Sequence, residues 1–134
     1  MNISILDTDI LSEFFRGNEN ITLKINQYLL EFGAVNISII TYYEMLNGLL
    51  YKDAKKQLKK FEDFIKLNKI IPLTLKTVNI SANIHAELRK NGNQIGHTDT
   101  LIAGIAIANQ MHLITNNTNH FSRIKTLRTE NWTI

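Results

Sequence analysis

The sequence predicts an α/β domain with a mainly parallel central sheet flanked by helices, and three observations lead there. Four short β-prone runs, ISIL at 3–6, NISI at 36–39, IIPL at 70–73 and HLIT at 112–115, are separated by segments long enough for helices. Strands that alternate with helices are joined by crossovers, which lay successive strands side by side in one direction. No Gly/Ser/Pro-rich linker or internal repeat interrupts the chain, and Pro72 is its one proline. At 134 residues, 44% hydrophobic and 20% charged, the chain has the size and composition to bury a core, so one domain over residues 1–134 is expected.

Each element has its own signal. After ISIL, Asp9 is placed to N-cap a helix from Ile10 to about Arg16, which Gly17 would end. After NISI, Thr41 and Glu44 have the Thr-x-x-Glu spacing of a capping box, opening a helix through Met45, Leu46 and Leu49. From Lys52 to Lys69, Ala54, Leu58, Phe61 and Ile65 fall on one helical stripe, with most of the lysines away from it. A helix from about Lys76 to Lys90 precedes the loop NGNQIG. The segment Thr98 to Gln110 is apolar on nearly every face after its first turn and reads as a buried helix packed on the sheet.

Composition removes several function classes. With no cysteine, disulfides, thiolate metal sites and cysteine nucleophiles are excluded, so any metal must be held by oxygen or imidazole. His85, His97, His112 and His120 show no zinc-like spacing, although His120 follows the fourth strand closely. There is no Gly-rich phosphate loop and no serine nucleophile elbow. The apolar start of the chain is broken at once by Asp7, and the longest apolar run, LIAGIAIA, is far shorter than the roughly 20 residues of a spanning helix. The expectation is a cytoplasmic protein with no membrane partner. A net charge of +3 is compatible with a nucleic-acid partner, and the lysines of 51–69 either track phosphates or form the solvated face of a helix; the second is the commoner arrangement.

The acids carry the chemistry. Asp7 ends the first strand, Glu44 lies in the first turn of the helix after the second, and Asp99 in the first turn of the buried helix. All three should face the edge beyond the strand C-termini, where open α/β sheets bind ligands. Glu44 and Asp99 are also explicable as helix-terminal acids, and Asp9 as a cap. Asp7 has no such role in this reading and would be costly unpaired. Converging carboxylates suit a hard cation such as magnesium or manganese, which supplies activated water and offsets leaving-group charge in nucleases.

These motifs resemble the PIN-domain ribonucleases, and among them the VapC toxins of bacterial toxin–antitoxin modules. The matching pieces are ILDTDILSEF at 5–14, ISIITYYEMLNG at 37–48, HTDTLIAGIAIANQMHLITNNTNHFSRI at 97–124 and LRTENW at 127–132, four in the family's order. The resemblance implies a three-layer PIN-like domain. It makes Asp7, Glu44 and Asp99 catalytic, Asp7 and Asp99 the ligands of Mg2+ or Mn2+, and Asp9, Thr115 and Asn117 supporting residues. Asp9 stands where the family usually has asparagine, and Asn117 where many members have a fourth acid. It further implies an endoribonuclease cutting RNA, with tRNA a frequent target class, to 5′-phosphate and 3′-hydroxyl ends. The implied partners are a second copy of the chain and a VapB-type antitoxin, with operator DNA reached only through the antitoxin. Two alternatives remain open at this level. Asp7-Thr8-Asp9 is also the start of a haloacid-dehalogenase phosphatase motif, and Asn117 suits a non-catalytic RNA- or antitoxin-binding module with a decayed site.

Overall fold

The computed structural model describes residues 1–134 and has five parallel strands in the order β3-β2-β1-β4-β5. The strands are β1 (Ser4–Leu6), β2 (Asn36–Ser38), β3 (Lys69–Ile71), β4 (His112–Ile114) and β5 (Thr129–Glu130). Ile5 pairs with Asn36 on one side and Leu113 on the other, so β1 is the central strand. From β1 the chain winds outward through β2 to β3, then returns to the far side of β1 for β4. The order therefore reverses between β1 and β4, and the crevice at their C-terminal ends is the topological switch point of the sheet.

Seven helices cover the faces: α1 (Thr8–Phe15), α2 (Glu19–Phe32), α3 (Ile39–Tyr51), α4 (Lys55–Leu67), α5 (Leu75–Lys90), α6 (His97–Ala108) and the single turn α7 (Thr118–Phe121). Ile10, Leu11, Ile21, Ile25, Tyr28 and Phe61 are buried with Leu6, Ile37 and Trp132 in one cluster. Ile102, Ala103, Ile105 and Ala106 of α6 are buried with Ile5, Leu113 and Phe121 in the other. Gly104 is needed at the α5–α6 crossing. A Cβ there would collide with Ser81 Oγ and come within 2.8 Å of the Thr77 carbonyl oxygen.

The four expected strands are present within two residues of their expected bounds, but several helix starts differ, for local reasons. The first helix begins at Thr8 and its cap is Asp7, not Asp9: the backbone leaves β1 at Asp7 in extended conformation, and Asp7 Oδ1 accepts from the Thr8 N–H at 2.8 Å. Asp9 is already inside the first turn. The next helix is opened by Ser38 rather than by a Thr41–Glu44 box, because Ser38 Oγ accepts from the Thr41 N–H at 3.0 Å, which places Thr41 inside the first turn and Glu44 in the second. The helix expected over 52–69 is shortened at both ends, with Asp53 in the left-handed region (φ 52°) and β3 starting at Lys69. Helix α2, capped by Asn18 and ended by Gly33 at φ 81°, and the two-residue β5 add to the elements expected from the sequence.

Candidate active site

Asp7 is buried, with 5% of its surface exposed, at the end of the central strand. Its N–H still belongs to the sheet, donating to the Ile114 carbonyl at 2.9 Å. Its carboxylate is held from two sides: Oδ1 accepts from Thr8 N–H, and Oδ2 accepts from the Thr115 hydroxyl at 2.8 Å. Thr115 follows β4 and is fully buried, so the two strands flanking the switch point supply the acid and the group that fixes it. Thr115 Oγ1 also accepts from the Asn117 N–H at 2.9 Å, which turns the chain after β4 toward the cleft.

Glu44 is fixed by a hydroxyl relay. Thr8 Oγ1 donates to Glu44 Oε1 at 2.7 Å and lies 2.9 Å from Thr41 Oγ1. A hydroxyl has one proton, so with Thr8 donating to Glu44 it is Thr41 that donates to Thr8. Thr8 thus serves both acids, Asp7 through its amide and Glu44 through its side chain. Asp9 points to the same place, with Oδ1 accepting from Ile10 N–H at 2.7 Å and Oδ2 from Asn116 N–H at 3.0 Å. Asp99, in the first turn of α6, has His120 Nδ1 3.5 Å from its Oδ2, and the same ring nitrogen is 2.8 Å from Asn117 Nδ2.

Asp7, Thr8, Asp9, Glu44, Asp99, Asn116 and Asn117 line one cleft of about 370 Å³, with no apolar residue, lysine or arginine among them. Of the residues expected at the site, Asp7, Asp9, Glu44, Asp99 and Asn117 line it directly, and Thr115 stands behind Asp7. Thr8, Thr41 and Asn116 had not been expected. The signal for Thr8 was present, because a hydroxyl between two acids at a strand end has few other partners. Asn116 acts through its backbone N–H, which no side-chain pattern announces.

The acids are not compensated within the protein. Burial pushes Asp7 from the usual value of 3.8 up to about 7, the Asp9 charge pushes the same way, and hydrogen bonds from Thr115 and Thr8 only partly oppose them. Asp9 is also raised, by burial first, against the pull of the Asn116 and Ile10 amides. Oxygen donors that repel one another suit a hard divalent cation. No three of the Asp, Glu and His side chains close around an ion by themselves. Water and a substrate oxygen would have to complete the shell, as magnesium readily allows. Asp9, which a phosphatase would need as a free acid/base, has both oxygens engaged by amides.

The PIN domain model matches residues 4–127. The chain is 30% identical over 129 residues to the tRNA(fMet)-specific endonuclease VapC of Shigella flexneri, covering 96% of both chains. It is 31% identical over 131 residues to ribonuclease VapC2 of Rickettsia felis, covering 97% of this chain and 98% of that one. Among solved structures, VapBC2 from Rickettsia felis bound to a DNA fragment from their promoter matches with a TM-score of 0.87 at 30% identity, over 96% of this chain and 98% of that one. DNA-bound VapBC from Salmonella typhimurium matches with a TM-score of 0.88 at 29% identity, over 98% and 99%.

Proposed function

The chain belongs to the PIN-domain family, with VapC ribonucleases as its relatives, and on that premise we propose that it is a divalent-metal-dependent endoribonuclease toxin that cuts tRNA. The observation that supports this best is the convergence of Asp7, Asp9, Glu44 and Asp99, contributed by three helices and a strand end, in one cleft free of cations and apolar groups. PIN-domain ribonucleases are in general dependent on divalent metal. The donor set here fits magnesium or manganese, held by Asp7 and Asp99.

Such an ion would polarise water for in-line attack on phosphorus and offset charge on the leaving oxygen, giving 5′-phosphate and 3′-hydroxyl ends. The residues of the chain set the geometry. Thr115 and the Thr8 amide hold the Asp7 carboxylate still, and the Thr41–Thr8 relay fixes one oxygen of Glu44 while leaving the other to orient water or accept a proton. Asn117 offers an uncharged amide where many PIN domains have a fourth acid, so the cleft carries less negative charge against an incoming phosphate. Asp9 acts on the site from the side, by tying the loop after β4 to the first turn of α1.

The relatives known as VapBC complexes extend the proposal to partners. It gives the chain a VapB-type antitoxin, a homodimeric state and contact with operator DNA only through the antitoxin. A cytoplasmic location fits the absence of any helix long and apolar enough to cross a membrane. The test is incubation of the protein with tRNA and Mg2+, beside Asp7→Asn and Asp99→Asn, with the product ends mapped. Cleavage should stop in EDTA and in both variants. Cleavage that persists in either case, or 2′,3′-cyclic phosphate ends, would overturn the mechanism, and binding without cleavage by any metal would return the non-catalytic module.

A further inference from the structure

The carboxylate cleft does not end at Glu44. Thr8 and Glu44 also line a second groove, about 440 Å³ in volume, that runs between α1, α3 and α4 past Ser12, Gly48 and Gln57. Its charge is the reverse of the cleft's. Apart from the shared Glu44, its charged lining residues are Arg16, Lys52 and Lys60. An acidic site for the scissile phosphate thus adjoins a cationic groove, the two sharing Thr8 and Glu44 as lining residues.

The lysine-rich stretch is divided by this groove. At about 100° per residue, Gln57, Lys60 and Phe61 share one side of α4, while Lys55, Lys59 and Lys66 fall on the opposite side. Lys59 is engaged with Asp63 at 2.9 Å. Arg16 is partly engaged too, 2.6 Å from Glu13. Lys52 and Lys60 are both exposed and have no acidic partner. Two unpaired cations lining a groove that shares Thr8 and Glu44 with the proposed cleavage site have an evident ligand, the neighbouring phosphates of the same strand.

We infer that Lys52 and Lys60 form a subsite for backbone phosphates of the RNA flanking the scissile bond, so that the substrate leaves the carboxylate cleft over Thr8 and along the α3–α4 groove. The inference rests on the ribonuclease reading above. It makes the two lysines binding residues: they act on how tightly the strand is held and not on the bond that breaks. Gly48 lines the groove, and a Cβ on it would meet nothing within 4 Å, so there is open space beside it for a larger side chain.

The test compares Lys52→Ala/Lys60→Ala with Lys55→Ala/Lys66→Ala, two double variants of equal net charge. Binding of a labelled tRNA transcript is followed against salt in the Asp99→Asn background, and cleavage with Mg2+ in the otherwise native protein. The groove variant should raise Kd and KM by roughly tenfold, keep kcat within about twofold, and lower the slope of log K against log salt by about 1.4, the value for two single-strand phosphate contacts. The opposite-face variant should shift Kd by less than about twofold, on the same electrostatic argument. Gly48→Glu should weaken binding at least as much as the groove variant, and Gly48→Ala should not. Equal losses in the two double variants, or none in either, would overturn the subsite. If the native protein binds tRNA with the expected difference yet cuts nothing with Mg2+ or Mn2+, the ribonuclease reading falls and the phosphate subsite stands.

Discussion

The two ends of the central strand obey opposite rules. At its N-terminal end the buried polar groups are matched to one another: the Tyr28 hydroxyl accepts from Ser4 N–H at 3.0 Å and donates to the Ser4 carbonyl at 3.3 Å, while Asn36 Nδ2 donates to that carbonyl at 2.9 Å. Three residues later the same strand ends at Asp7, a buried carboxylate beside a second acid. A satisfied network stabilises a fold, whereas unpaired charge in low dielectric destabilises it unless a ligand arrives. β1 is thus anchored by a satisfied network at one end and carries a buried charge at the other.

Breaking the carboxylate end should have the largest effect on function. Asp7→Asn and Asp99→Asn are each expected to lower tRNA cleavage by about a thousandfold or more, as expected for loss of the groups that hold an essential cation. Circular dichroism should show both variants folded. Breaking the other end should do the reverse. Tyr28→Phe leaves the buried Ser4 N–H without a partner and should cost about 1–3 kcal/mol in urea denaturation, with cleavage by the folded protein unchanged. An active-site effect of Tyr28→Phe would show that the two ends are coupled.

Smaller effects sharpen the contrast. Without metal, Asp7→Asn should be more stable than the native protein at pH 8, because the amide can accept from Thr8 N–H and donate to Thr115 Oγ1 while removing the buried charge. Mg2+ should raise the melting temperature of the native protein and leave that of Asp7→Asn nearly unchanged, by the ordinary linkage of binding to stability. Asp9→Asn should have the smallest effect. It restores the residue usual in the resembling family, keeps one acceptor for the Asn116 N–H, and should leave cleavage within about tenfold, since it removes only a neighbouring charge. Loss of all activity in Asp9→Asn would make Asp9 a direct participant.

Much of this was legible in the sequence because buried parallel strands are short apolar runs and their C-terminal edge is where ligands bind. That rule is enough to bring Asp7, Glu44 and Asp99 to one place. The cap was harder to locate. Asp7 and Asp9 are both good caps, and the choice depends on where β1 lets go, a matter of one residue that the Ile114 carbonyl decides by pairing with the Asp7 amide. Ser38 won over Thr41 for the same reason, being the last extended residue of β2. The position of Thr8 between two acids marks it as a neighbour of the site, but its bond to Glu44, 36 residues away, has no signature in the sequence. The division of the lysines needs the rotation of α4 against α1 and α3, which a stripe of apolar residues fixes only once the neighbours are known.

The claim that the C-terminal end of β1 stores charge repulsion for a cation is tested most directly by stability against pH, in EDTA and in Mg2+, for the native protein and Asp7→Asn. With the carboxyl raised from 3.8 unfolded to about 7 folded, the folded protein binds the extra proton between those values. Its stabilising contribution is therefore complete below about pH 4 and lost as pH rises to 7. In EDTA the native protein should fall relative to Asp7→Asn by a few kcal/mol across that window and then run parallel to it, by proton linkage. Mg2+ should recover much of the difference at pH 8. Parallel curves throughout, with no response to Mg2+, would contradict the account.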